Sequence, residues 1–184
     1  LSHAPRRQQS AKMLIDSFLP EGITALAVDS IFMMPQLGVM ANIEKENLAE
    51  QARIAALEVF EKDCLIRLGT CIAPIGVIEG KKNVLKAELE FSSGDKKEIN
   101  LNGGDLVLIE ADYQEINITL TPSKGVDVGA GINEVIQTKV YGGQVGIIFD
   151  CRGRPLALSK EAGERISELN NWSNALNEYP SLKV

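Results

Sequence analysis

Two short segments concentrate the groups able to do chemistry. Asp127-Val128-Gly129-Ala130-Gly131 sets a carboxylate before two glycines, a spacing that lets backbone N–H groups approach a phosphate or a metal-bound ligand. A strand pattern rather than a helix follows, and no Lys-Ser/Thr pair closes the segment, so neither a dinucleotide fingerprint nor a P-loop is present. The other reading is a tight structural turn. Asp150-Cys151-Arg152-Gly153-Arg154-Pro155 ends an apolar run. Its two arginines flank a glycine and could fork onto a carboxylate or phosphate. Equally, Asp150 and an arginine could pair across the turn and lock the exit from a sheet. If both loops meet, Asp127, Gly129, Gly131, Asp150, Arg152 and Arg154 converge on an anion or nucleotide.

The remaining chemistry is narrow. A single His, at position 3, leaves no Ser-His-Asp triad, His-rich zinc site or interior His base. Cys64, Cys71 and Cys151 lack CxxC spacing and sit in apolar runs, so they read as small buried hydrophobes in a reducing compartment. The two arginines after Cys151 could lower its pKa, although no His stands near any of the three. Tyr141-Gly142-Gly143-Gln144 reads as a hairpin turn. Met33, Met34 and Met40 read as core filler, and Asn171-Trp172-Ser173 as an accidental glycosylation match.

Charge sets the class of partner. The 184 residues carry 19 Lys+Arg against 25 Asp+Glu, a net charge of -6. That balance argues against nucleic acid and against an anionic membrane surface. No apolar stretch reaches the roughly 18–20 residues of a membrane span, and no signal-peptide layout opens the chain, which implies a cytoplasmic protein. The start at Leu1-Ser2-His3-Ala4-Pro5 suggests a piece cut from a longer chain.

The elements that must hold these loops follow from hydrophobic period. Ala11, Leu14, Ile15 and Phe18 recur at helical spacing between Pro5 and Leu19, with Pro20 and Gly22 as the stop. Ile23 to Val28 suits a short strand buried on both faces. Pro35 to Ala41 allows a short helix, and Lys45 to Phe60 a longer one with Leu48, Ala52, Ala55, Ala56 and Val59 on one side. Beyond Cys64 the pattern turns to strands. Leu85, Ala87, Leu89 and Phe91 alternate with Lys86, Glu88 and Glu90, and Ser93-Gly94-Asp95 turns that strand back into Ile99 and Leu101. Strands follow at Leu106–Ile109, Ile116–Leu120, Glu134–Tyr141 and Val145–Phe149. From Ser159 a polar helix carries Ile166, Leu169, Trp172 and Leu176 as a stripe that would dock on the sheet and shield an edge.

The fold class is therefore α+β: an N-terminal helix-strand-helix segment, then a mainly antiparallel β barrel or sandwich with a C-terminal helix. The expected divisions are a helix-rich segment over 1–63, a β-rich domain over 64–158 and the helix over 159–184.

Several segments together resemble the MutL-type accessory protein family linked to glutamate mutase, unrelated to the mismatch-repair protein of that name. They are Leu1 to Pro5, Asp16 to Thr24, Pro35 to Ala41, Leu68 to Gly76, Asp127 to Gly131 and Gly142 to Leu156, in the family's order. The resemblance implies a role beside an adenosylcobalamin-dependent mutase, in proteins that look like ATPases of the actin, sugar-kinase and heat-shock-protein superfold and that maintain or reactivate the mutase. It places this chain after the Gly-Gly adenosine loop of that superfold, as a remnant of a nucleotide-binding α/β lobe followed by the C-terminal β-rich part. ATP and Mg would then belong to the full-length protein, with no cofactor, metal or catalytic residue expected in this fragment. The implied partner is a mutase subunit, and a homodimer is left open. The alternative is a small anion- or nucleotide-binding β domain.

Overall fold

A computed structural model of the chain describes residues 4–43 and 48–179. His3, the expected helix start at Lys45 and the expected stop at Pro180 lie outside the described residues. Helix α1 (Arg7–Phe18) is closed by Leu19, which takes a left-handed φ of 44° just before Pro20. Strand β1 (Gly22–Asp29) follows. Helix α2 (Met34–Ala41) has Pro35 in its first turn, where a missing N–H costs nothing, and the Asp29 carboxylate accepts a hydrogen bond from Met34 N at 2.7 Å. Backbone hydrogen bonds from this turn outweigh the cost of desolvation and hold the Asp29 carboxyl below its ordinary value. Helix α3 (Ala49–Val59) runs into a π-helical turn at Phe60–Cys64.

The rest is β structure: β2 (Leu65–Ala73), β3 (Ile75–Gly76), β4 (Leu85–Phe91), β5 (Lys96–Leu101), β6 (Leu106–Ile109), β7 (Glu115–Pro122), β8 (Val126–Asp127), β9 (Ile136–Tyr141) and β10 (Gly146–Asp150), ending in helix α4 (Ala162–Ala175). A mixed sheet has the order β1-β2-β10-β6, an antiparallel sheet the order β5-β4-β7-β9, and β3 pairs β8. Among the described strands only β2 and β10 run parallel. The architecture is α+β with mostly antiparallel sheets. It is sandwich-like, and the sheets do not close into a barrel.

Side-chain parity explains the layers. Ile147 and Phe149 of β10 face the antiparallel sheet and join Leu85, Ala87, Leu89, Ile116, Ile118 and Leu120 in the inter-sheet core. Ile148 points the other way, with Leu26, Val28, Leu68 and Cys71, against Ala11 and Ile15 of α1 and Trp172 and Leu176 of α4. Every residue of β10 is buried, as expected for a strand covered on both faces. The antiparallel sheet is covered on one face only, so β4 and β7 alternate between core and water. Because β1 pairs with β2, residues on either side of position 64 share one sheet.

Several sequence expectations need correction. Tyr141-Gly142-Gly143-Gln144 is not a hairpin turn, since β9 pairs with β7 while β10 pairs with β2 and β6. The two glycines carry the chain from one sheet to the other through a gap with no room for side chains. A Cβ on Gly142 would lie 2.0 Å from the Asp112 carbonyl oxygen, and one on Gly143 2.6 Å from that of Arg67. Strand β1 is not buried on both faces: Leu26 and Val28 enter the core on one side, while Ala25 is exposed and Ala27 half-buried on the other. Phe18 is 76% exposed rather than part of the helix's inner face. Along α3 only Ala56 is buried, because α3 packs on α2 and not on a sheet, so Leu48 and Val59 stay exposed. Met34 is exposed for the same reason. Helix α4 docks through Trp172 and Ala175, with Leu176 at its cap, and leaves Ile166 and Leu169 exposed.

Candidate functional site

The two loops singled out by their chemistry lie at one end of the mixed sheet. Strand β10 ends at Asp150, opposite Leu106 of β6, and Gly22 of β1 stands opposite Ala73 at the end of β2. Asp127 pairs with Ile75, two residues beyond Ala73. The turn between α1 and β1 bridges them. Arg154 Nε donates to the Pro20 carbonyl at 3.1 Å, and a Cβ on Gly22 would come within 3.3 Å of Gly129 Cα.

Within each loop, however, the polar groups already hold one another. Asp127 Oδ1 accepts from the N–H groups of Gly129 at 2.7 Å and Gly131 at 3.0 Å. Those are the amides that would otherwise face an anion, and the carboxylate now satisfies them. Gly129 and Gly131 take φ values of 111° and 120°, a region L side chains rarely adopt, which is why both positions are glycine.

The second loop is a buried clasp. Arg152 Nε and Nη2 donate to Asp150 Oδ1 and Oδ2, each at 2.8 Å, and Arg154 Nη2 adds a bond to Oδ2 at 2.9 Å. Arg152 Nη2 also reaches Asp16 Oδ1 of α1 at 2.8 Å, and its guanidinium carbon sits 4.7 Å from the centre of the Trp172 ring on α4. Asp16 is itself paired with Lys12. Among the described residues Arg152 Nη1 has no hydrogen-bond partner. The side chains of Asp150 and Arg152 are 0% exposed. Burial alone would raise the Asp150 carboxyl, but hydrogen bonds and charge from Arg152, then Arg154, outweigh it and hold the group below the ordinary aspartate range. One carboxylate and one guanidinium thus tie α1, β10 and α4 together.

The loop spacing foreshadowed the Asp150–arginine pairing, but Asp16 and Trp172 joined it without any local signal. Asp16 is 136 positions from Arg152. Neither arginine activates the neighbouring thiols. Burial, then the charge of Asp150, pushes Cys71 up to about 12, and the same two causes lead the rise at Cys151; Arg154 and Arg152 only partly oppose them at Cys71, and Arg154 at Cys151. All three cysteines are free and buried.

Other concavities lie elsewhere. A hollow of about 720 Å³ on the solvent face of the antiparallel sheet is lined by charges of both signs, including Glu88, Lys96, Glu98 and Lys139. Among the described residues no group of three or more His, Cys, Asp or Glu side chains could hold a metal ion. No helix among them is long and apolar enough to cross a membrane. No family model, curated protein or solved structure gives a significant match to this chain.

Proposed function

We propose that this chain is the non-catalytic C-terminal region of an ATPase-like accessory or reactivating protein for a cytoplasmic adenosylcobalamin-dependent mutase of the glutamate mutase type, and that it docks on a mutase subunit. The motif order described above motivates the family, and one structural observation supports docking rather than chemistry. Between β1 and β2 the α2–α3 segment exposes Phe32, Met34, Val39, Leu48, Ile54 and Leu57 at 53–75% for five of them and 49% for Ile54. Among the described residues its own core is Leu37, Ala56 and Cys64 with a few partly buried neighbours. Apolar side chains left exposed in this number on one segment offer a partner the kind of surface that interaction sites use. The anion-binding alternative is weaker, because Asp127 occupies its own loop amides and Asp150 engages both arginines.

The test is retention of the mutase encoded beside this protein on the immobilised chain, with ATP hydrolysis measured in parallel. Retention by the native chain, its loss in Leu57→Glu, and no ATP turnover are expected. Failure to retain the mutase, or robust hydrolysis by the chain alone, overturns the reading.

A further inference from the structure

The two larger sheets present four edges, and three of them are guarded against further pairing in recognisable ways. Strand β5 carries Lys96, Lys97 and Glu98, β9 carries Lys139, and β6 is only four residues long with α4 packed against its side chains. Strand β1 carries its single charge, Asp29, at its last residue, and none along the run before it. It is eight residues long, pairs among the described residues only with β2, and has no charged residue or proline from Gly22 to Val28. Beside it runs a groove of about 170 Å³ lined by Leu14, Phe18 and Pro20 on one side and residues 24–27 on the other. Phe18, 76% exposed, stands over this groove with no role in the core.

We propose that β1 is a docking edge, to which an extended segment of another polypeptide adds as a further strand, with apolar side chains at alternate positions and a basic residue at each end. Backbone bonds to β1 would supply the affinity, and alternate side chains would enter the groove against Leu14 and Phe18. Charge decides between a foreign strand and a second copy. Glu21 and Asp29 bracket the apolar edge. Two-fold antiparallel pairing of β1 with itself would set Glu21 of one copy beside Asp29 of the other, and like charges directly opposite destabilise a pair. The net charge of -6 adds to that repulsion. A strand with basic ends meets both carboxylates favourably. This edge is separate from the α2–α3 face, and the inference stands whether or not the mutase reading holds.

The experiment uses the full chain and a capped peptide, Lys-Val-Thr-Val-Thr-Val-Thr-Val-Lys, whose end lysines match the spacing of Glu21 and Asp29, with backbone amide exchange followed by NMR. Exchange of the β1 amides that do not bond β2 is expected to slow about tenfold or more, a protection typical of newly hydrogen-bonded amides. Amides of β5 and β9 should not change. The same peptide N-methylated at alternate residues should give no protection, and its Glu-ended counterpart should bind more weakly. Phe18→Ser, which removes a side chain outside the core, should weaken peptide binding by about tenfold, as for loss of one apolar anchor. No protection at β1, equal binding of the Lys-ended and Glu-ended peptides, or β1 protection that rises with protein concentration in the absence of peptide would each overturn the proposal. The last outcome would assign the edge to a second copy.

Discussion

Arg152 holds Asp150 through two parallel N–H···O bonds of 2.8 Å, although the residues are only two apart and both side chains are 0% exposed. Removing one partner of such a pair strands the other charge in the interior, at a cost of about 3–5 kcal/mol. Asp150→Asn is therefore expected to lower stability by up to about that amount in urea titrations, because it removes the buried charge that Arg152 and Arg154 share and leaves Arg152 only the ion pair with Asp16. Arg152→Met with Asp150→Asn should lose less than the sum of the two single changes, since each single change already breaks the same clasp. Additive losses would show that the two residues act separately.

The same carboxylate should contribute to the loss of stability in acid, alongside Asp29 and Glu115, which are also held below their ordinary values. The folded pKa of Asp150 lies below the ordinary value of 3.8, so its contribution is fully present above that value and is lost as pH falls through the folded pKa. Stability should be level from neutrality to about pH 5 and then decline as the unfolded chain takes up protons more readily. In Asp150→Asn the part of the acid decline due to this group should disappear. Urea midpoints measured from neutral to acidic pH would show an unchanged slope if another carboxylate dominated.

Two glycines should respond in opposite directions to alanine. A Cβ on Gly69, where φ is +140°, would lie 1.8 Å from the Gly146 carbonyl oxygen across the parallel β2–β10 pair. Gly69→Ala should cost more than about 4 kcal/mol or prevent folding, the range reserved for severe backbone conflicts. Gly38 sits in α2 with nothing within 4 Å of an added Cβ. Gly38→Ala should stabilise by about 0.4–1 kcal/mol by restricting the unfolded chain. Thermal unfolding of both variants checks the pair.

What could be read from the sequence was local. The β4 alternation appears in the structure because a sheet face must be all core or all water, and the Ser93-Gly94-Asp95 turn fixes its partner β5. The destination of β10 was not legible, because Gly142-Gly143 has the composition of a hairpin turn while its function depends on carbonyls contributed by Ala111, Asp112 and Arg67. Periodicity also misplaced Phe18 and Leu48. An apolar stripe states that a residue can be buried, and only the tertiary neighbours decide whether anything covers it. At the candidate site, the Asp150–arginine contacts were within reach of spacing arguments, whereas Asp16 and Trp172 came from elements far along the chain.

The three thiols should report how unevenly the molecule is held together. Cys71 and Cys151 lie in the two large cores that cover the faces of the mixed sheet, each 0% exposed. Cys64 is equally hidden at 1%, but its cluster is the small one under α2 and α3, whose outer surfaces are bare. Local opening needs only the loss of that cluster, and low-stability segments open at a fraction of the global cost. Burial raises the Cys64 thiol, with Asp29 and Asp63 adding to it, so its reaction waits on opening rather than on any resident thiolate. Labelling with a thiol reagent, followed by peptide mass spectrometry, should modify Cys64 first, at urea concentrations below the unfolding transition. Cys71 and Cys151 should react together, and only through that transition. Simultaneous labelling of all three would mean that the α2–α3 segment is as firmly held as the sheets, and reaction of Cys151 ahead of Cys64 would mean that the clasp at the end of β10 opens first.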